Sequence, residues 1–245
     1  MEVHHHPHVE KKNFKEYFFE FIMIFLAVTL GFIAENVREE IGNNSMEKEY
    51  MRSMLQDMAA DTAMLDAETE FSARIGKGLD SLSKALYTTD GSDSSTLQIY
   101  RLDITYKRII GVEFNDATAI ELRNSGGLKL IKNAAVRSAI VNYWRYGAVI
   151  HDKIVEGFNN NPTDQRYSIF NGSYEHFLGI VDSTGMSIVS IDPHARFMTN
   201  DKSLLINYAN RIKRSVSIIN IFMVPQLKSQ KQRAIELIAL IKKEY

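Results

Sequence analysis

One segment restricts this chain more than any other: residues 17–34 read YFFEFIMIFLAVTLGFIA, with Glu20 as the sole charge. Roughly 18 residues rising 1.5 Å each make about 27 Å of helix, enough for the hydrocarbon layer of a bilayer. A helix packed in a water-soluble core ordinarily keeps a polar face, and this segment is apolar all round. Tyr17, Phe18 and Phe19 stand where an interfacial aromatic belt lies, with Lys11, Lys12 and Lys15 just ahead of them. A cleaved signal peptide is the main rival, since the uncharged run 21–34 has the length of a signal core. Cleavage asks for small residues at both −1 and −3, and ending at Ala34 puts Phe32 at −3. The expectation is a retained transmembrane helix, preceded by a short His-rich tail over 1–16 and followed by a soluble domain over 35–245.

Within the span, Ala27 and Gly31 form a small-xxx-small pair of the kind that lets helix backbones approach closely in lipid. Glu20, Ile24, Ala27, Gly31 and Glu35 fall on one stripe at helical spacing, so Ala27, Gly31 and Glu20 are the candidate residues for helix association. The plainer alternative has Glu20 snorkelling to the near interface and Glu35 already in water. Three lysines lie just before the span, whereas Arg38, Lys48 and Arg52 are spread thinly after it. Counting basic residues near the ends places the N-terminus in the cytoplasm and the large domain in the periplasm of a bacterial inner membrane.

The remainder reads as helical. Lys and Arg total 29 against 30 Asp and Glu, so no bulk charge recruits nucleic acid. Cysteine is absent, which excludes disulfides and thiolate metal sites. After a break at Gly42-Asn43-Asn44, with Ser45 as N-cap, an amphipathic helix of about 40 residues is expected, loosened at Gly76 and Gly78. Its apolar stripe runs Met51, Leu55, Met58, Thr62, Leu65 and onward to Leu86, with Asp57 and Asp61 largely off it. A second helix is expected over about 96–110, then a short third one capped by Asn115 or Asp116 and stopped at Ser125-Gly126-Gly127. A fourth begins at Asn133 and runs through Tyr143, Trp144 and Ile154. Residues 163–199 are the least regular, and 187–191 reads as a brief strand or simply extended chain. Helical spacing resumes at about Asp201, Pro225 should kink or break the chain there, and a last helix reaches the C-terminus. The fold class expected is mainly all-α: an elongated antiparallel helical bundle after the membrane helix.

The opening MEVHHHPHVEKK, the core EFIMIFLAVTLGFIAE, and the stretch 122–133, LRNSGGLKLIKN, carry a resemblance. They are similar to a family of uncharacterised bacterial single-span membrane-anchored proteins with an L-x-x-S-G-x-L-x-L-I signature. The resemblance covers the anchor and the middle of the soluble domain. It implies a single-span helical architecture and brings no catalytic residues with it.

The chemistry candidates are few. His4, His5, His6 and His8 are the densest potential ligand set, but a terminal tail rarely fixes metal geometry, and incidental affinity is the default reading. His151-Asp152 matches the dipeptide of HD-type phosphohydrolases, whose metal cage needs a further upstream histidine. Every such histidine here lies before the span, so the cage cannot assemble within one chain. Gly126-Gly127 lacks a P-loop context. Tyr143, Trp144 and Tyr146 can line a pocket, although mid-helix aromatics are more often core. Lys228, Lys231, Arg233, Lys242 and Lys243 make the last helix basic, ordinarily a solvated face.

No cofactor is expected. The function expected is that of a non-enzymatic membrane-anchored interaction module, a scaffold or accessory subunit. Its partners would be the lipid bilayer and either a second copy or another membrane protein, with no nucleic acid. The alternatives are a periplasmic ligand-sensing bundle acting through a separate partner, since only about 16 residues precede the span, and a metal-dependent hydrolase with an inter-subunit site.

Overall fold

The computed structural model describes residues 13–106, 110–155, 169 and 196–245, with backbone alone at 153–155. Among these residues there is no strand. The helices are α1 (Phe14–Thr88), α2 (Asp93–Tyr106), α3 (Ala117–Asn124), α4 (Ala134–Val149), α5 (Lys202–Ser217) and α6 (Val224–Glu244). A 3-10 turn at Gly127–Lys129 follows α3, and π-helical turns at Ile150–Val155 and Ile218–Met223 follow α4 and α5. The chain divides into two units, Met1–Tyr50 and Met51–Tyr245. The expected all-α class holds. The segment 187–191, expected as a brief strand or extended chain, lies outside the described residues.

Helix α1 does not break where its glycines and asparagines suggest. Gly42-Asn43-Asn44, Gly76 and Gly78 all lie inside it, and Ser45 is an interior residue rather than a cap. One helical glycine costs only about 1 kcal/mol against alanine, and the Glu, Met and Lys residues flanking 42–44 are good helix formers. Gly78 is present for packing: a Cβ there would run into the Tyr106 ring.

In the first unit, the helix is apolar and uncovered. Its most apolar 18-residue window has a mean hydropathy of 2.2, and none of that window is buried. Phe32 is 69% exposed and Ile24 65%. The Thr29 hydroxyl donates to the Phe25 carbonyl at 2.8 Å, so this polar group is satisfied by the helix itself. Helix α1 is therefore the one helix among the described residues long and apolar enough to cross a membrane.

The second unit is built around three helical rods. Residues 51–88 of α1 run antiparallel to the α5–α6 rod, with Lys231 on Asp66 (2.6 Å), Lys213 on Asp80 (2.6 Å) and the Tyr87 hydroxyl on Asn210 (2.5 Å). Helix α4 runs antiparallel to α6, fixed by Gln230 Nε2 donating to the Tyr143 carbonyl (2.9 Å) and Asn133 Nδ2 to Glu244 (2.7 Å). Leu65, Ile75, Leu79, Leu82 and Leu86 of α1 interlock with Ile212, Val216, Ile219, Met223 and Leu227, with Ile99 and Tyr100 of α2 completing the core. Each such buried side chain contributes about 1.5–3 kcal/mol relative to exposure.

The local signals at the helix ends mostly hold. Asn133 caps α4 by accepting from the Ala135 and Val136 N–H groups. Gly126 sits at φ +72°, the left-handed conformation that ends α3 cheaply only with glycine. Helix α2 starts earlier than expected, at Asp93, because Ser92 accepts the Thr96 N–H and so anchors the first turn. Pro225 does not break its rod. The turn before it widens into the π segment, and Pro225 occupies the first turn of α6, where a missing N–H costs least.

Candidate functional site

Two aspartates one turn apart on α1 organise a concavity of the second unit. Asp61 is 1% exposed and Asp57 is buried as well. The Asn115 N–H donates to Asp61 Oδ1 at 2.8 Å, and the Thr118 N–H to Asp57 Oδ2 at 3.2 Å. The start of α3 is thus capped by carboxylates from another helix, where the free N–H groups and the helix dipole favour negative charge. This replaces the expected local cap, since Asp116 makes no side-chain cap bond.

The second oxygen of Asp61 accepts the Tyr143 hydroxyl at 2.7 Å. Burial raises the Asp61 pKa above the ordinary carboxylate value, opposed by the Asn115 and Tyr143 hydrogen bonds and reinforced by the nearby Asp57 and Asp116. Burial also pushes the Tyr143 hydroxyl up, and its bond to Asp61 adds to this. Tyr143 is further fixed by Phe114, whose ring meets it edge-on at 6.2 Å.

Above this pair opens a cleft of 510 Å³. Its lining comes from the 112–116 segment, from Ala119, Ile120 and Arg123 of α3, from Tyr143, Trp144, Gly147 and Ala148 of α4, and from His151 and Asp152 in the π turn. His151 Nδ1 lies 2.9 Å from Asp152 Oδ1, and both side chains are solvent-exposed. The Trp144 indole N–H is enclosed without an acceptor among the described residues. This size and mostly apolar character suit a small molecule.

The structure distributes the sequence candidates unevenly. His151, Asp152, Tyr143 and Trp144 meet at the cleft, while Tyr146 is engaged elsewhere, its ring 3.9 Å from the Arg233 guanidinium and 5.3 Å from that of Arg145. Lys231 pairs with Asp66 and Arg233 covers Tyr146, so the basic residues of α6 are more engaged than a solvated face would be. Glu20, Ala27 and Gly31 lie in the first unit, and a Cβ added at Gly31 would meet nothing within 4 Å. His4, His5, His6 and His8 fall outside the described residues. Among the described residues no group of three or more His, Asp or Glu side chains is placed to hold a metal ion.

Asp57 and Asp61 were the residues that sequence reasoning missed. The buried row passes through Met54, Asp57, Met58, Asp61 and Leu65, so both carboxylates sit on the packed face. Choosing Leu55 and Thr62 for the apolar stripe rotates that face by one residue and leaves both acids in water. Spacing at Met54, Met58 and Leu65 was the available signal.

No family model, no curated protein and no solved structure matches this chain. The L-x-x-S-G-x-L-x-L-I stretch has a structural explanation of its own: Leu122 and Ile131 are fully buried, and Gly126 makes the left-handed stop between them.

Proposed function

We propose that this chain is a non-enzymatic membrane-anchored interaction module, a scaffold or accessory subunit of a membrane complex. Residues 17–34 cross a bacterial inner membrane with the N-terminus in the cytoplasm, and the helical unit after them works in the periplasm. The observation that supports this reading is the apolar window of α1, none of which is buried against protein. Such a surface in water is far larger than a soluble monomer tolerates, and lipid is the solvent that fits it. The balance of 29 basic against 30 acidic residues favours no nucleic acid as a partner. Open space around Gly31 leaves room for a second helix against Ala27, Gly31 and Glu20.

Because the chain has no cysteine, single substitutions report topology cleanly. In intact spheroplasts, an impermeant maleimide should label Tyr245→Cys, and Asn13→Cys only after lysis. The reverse pattern would refute the orientation, and labelling of both without lysis would refute the span. A dimer band in membrane crosslinking should weaken in Gly31→Ile; an unchanged band excludes that seam.

A second reading, that the helical unit takes a small ligand, is favoured by the cleft over Asp61. Helix α1 itself supplies the carboxylates that hold one wall of that cleft, so occupancy and the position of α1 within this unit are mechanically linked.

A further inference from the structure

The cleft has a lining specific enough to name a ligand class, an inference that rests on the ligand-binding reading just given. Its volume of 510 Å³ falls within the range of small-molecule sites. Three independent features converge on its charge preference.

The first is the bottom of the cleft. Asp61 is 1% exposed, yet among the described residues its hydrogen bonds come only from neutral donors, the Asn115 N–H and the Tyr143 hydroxyl. Among the described residues the charges acting on it are Asp57 and Asp116, both of its own sign. A buried carboxylate ordinarily has a cation beside it, and one without a counter-ion is costly to keep charged. The second is the balance around the walls, where Glu113, Asp116 and Asp152 join Asp61 against Arg123 and His151. The third is aromatic: Phe114, Tyr143 and Trp144 line the same space, and the faces of such rings attract cations while their area binds apolar groups.

We propose that this cleft binds a small organic cation, an ammonium group carried on an apolar or aromatic body. The ammonium is directed at Asp61 and Asp116, and the body lies against Trp144 and Phe114. An anion of the same size would face four carboxylates with one guanidinium to hold it. A bare metal ion would lack a ligand set, since no three candidate side chains converge among the described residues.

Trp144 is the only tryptophan of the chain, so its emission reports on this cleft without labelling. The full chain is held in dodecyl maltoside, a micelle that carries no amine, and titrated with 2-phenylethylammonium, 2-phenylethanol and phenylacetate. The cation should change Trp144 emission saturably, with a dissociation constant under about 1 mM. The neutral and anionic analogues should bind at least about tenfold more weakly, the loss of one hydrogen bond to a charged group. Asp61→Asn should weaken the cation about tenfold with helical circular dichroism retained. Should that variant misfold, the wall variant Glu113→Gln/Asp116→Asn decides in its place, with affinity for the cation again reduced. If 2-phenylethanol or phenylacetate binds as well as the cation, the cation assignment is overturned and the ligand-binding reading survives. If none of the three probes moves Trp144, both fail. Unchanged affinity in whichever variant folds would also overturn the cation assignment.

Discussion

Residues 17–34 and 51–88 belong to the same α1 helix, yet they solve the problem of apolar surface in opposite ways. In the first, apolar side chains occupy every face and none of the 18-residue window is covered. In the second, Met51, Met54, Met58, Leu65, Ile75, Leu79, Leu82 and Leu86 form one stripe that is 2% exposed or less, and charged residues such as Lys77 and Lys84 take the other side. The backbone is the same; the arrangement of apolar residues around it selects the solvent. An amphipathic pattern asks for a protein partner on one face, and an all-round pattern asks for lipid on every face.

Substitutions that respect or violate this contrast test it. Leu79→Ala, in the interlocked core, should cost about 2–5 kcal/mol, read as a fall in the thermal midpoint. Leu26→Ala in the uncovered stretch should leave that midpoint unchanged; an equal fall would mean that residues 17–34 pack on protein after all. Leu26→Arg should instead cost about 3 kcal/mol of membrane insertion, seen as a smaller carbonate-resistant fraction of full-length chain. A fraction equal to wild type would break the contrast from the other side.

Smaller effects sharpen the second region. Asp61→Ala strips acceptors from the Asn115 N–H and the Tyr143 hydroxyl, and about 2–3 kcal/mol of unfolding free energy should be lost in urea titrations. Gly78→Ala forces a methyl into the Tyr106 ring and should cost about 1–3 kcal/mol, whereas alanine at Gly42, with nothing within 4 Å, should be neutral or mildly stabilising. The smallest effect concerns pH. Because burial raises the folded-state pKa of Asp61 above 3.8, the folded chain holds that proton more tightly than the unfolded one. The Asp61 contribution to stability is therefore greatest below 3.8 and declines as pH rises through the folded pKa. Urea midpoints measured from about pH 4 to pH 7 should decline less steeply in Asp61→Asn than in wild type. Parallel curves would show that the Asp61 proton is not what couples stability to pH.

Much of the fold was legible because periodicity and end signals are local. Asn133, the Ser125-Gly126 stop and the restart at Asp201 each act within four residues of themselves, and the structure places helix ends there. What failed depended on distant partners. Gly76 and Gly78 looked like weak points because the Tyr106 ring that needs Gly78 lies far along the chain. Pro225 looked like a breaker because a widened turn ahead of it leaves no mark in composition. The cleft was half visible: Tyr143 and Trp144 were singled out as aromatics that can line a pocket, and they do, whereas His151 and Asp152 were singled out for a metal cage and instead stand at the cleft's edge. Its organising pair, Asp57 and Asp61, was hidden, since a carboxylate on α1 counts as solvated until the N–H groups of 115 and 118 are seen to end on it.

The proposed membrane span is tested most directly by nitroxide accessibility. Single cysteines placed one at a time through residues 22–33 in the cysteine-free chain are spin-labelled and reconstituted in vesicles. Collisions with lipid-soluble oxygen should exceed those with a water-soluble nickel chelate at every position, most strongly near the middle. Frequent collisions with the chelate at those central positions would contradict the membrane-embedded helix and remove the basis for an anchored module.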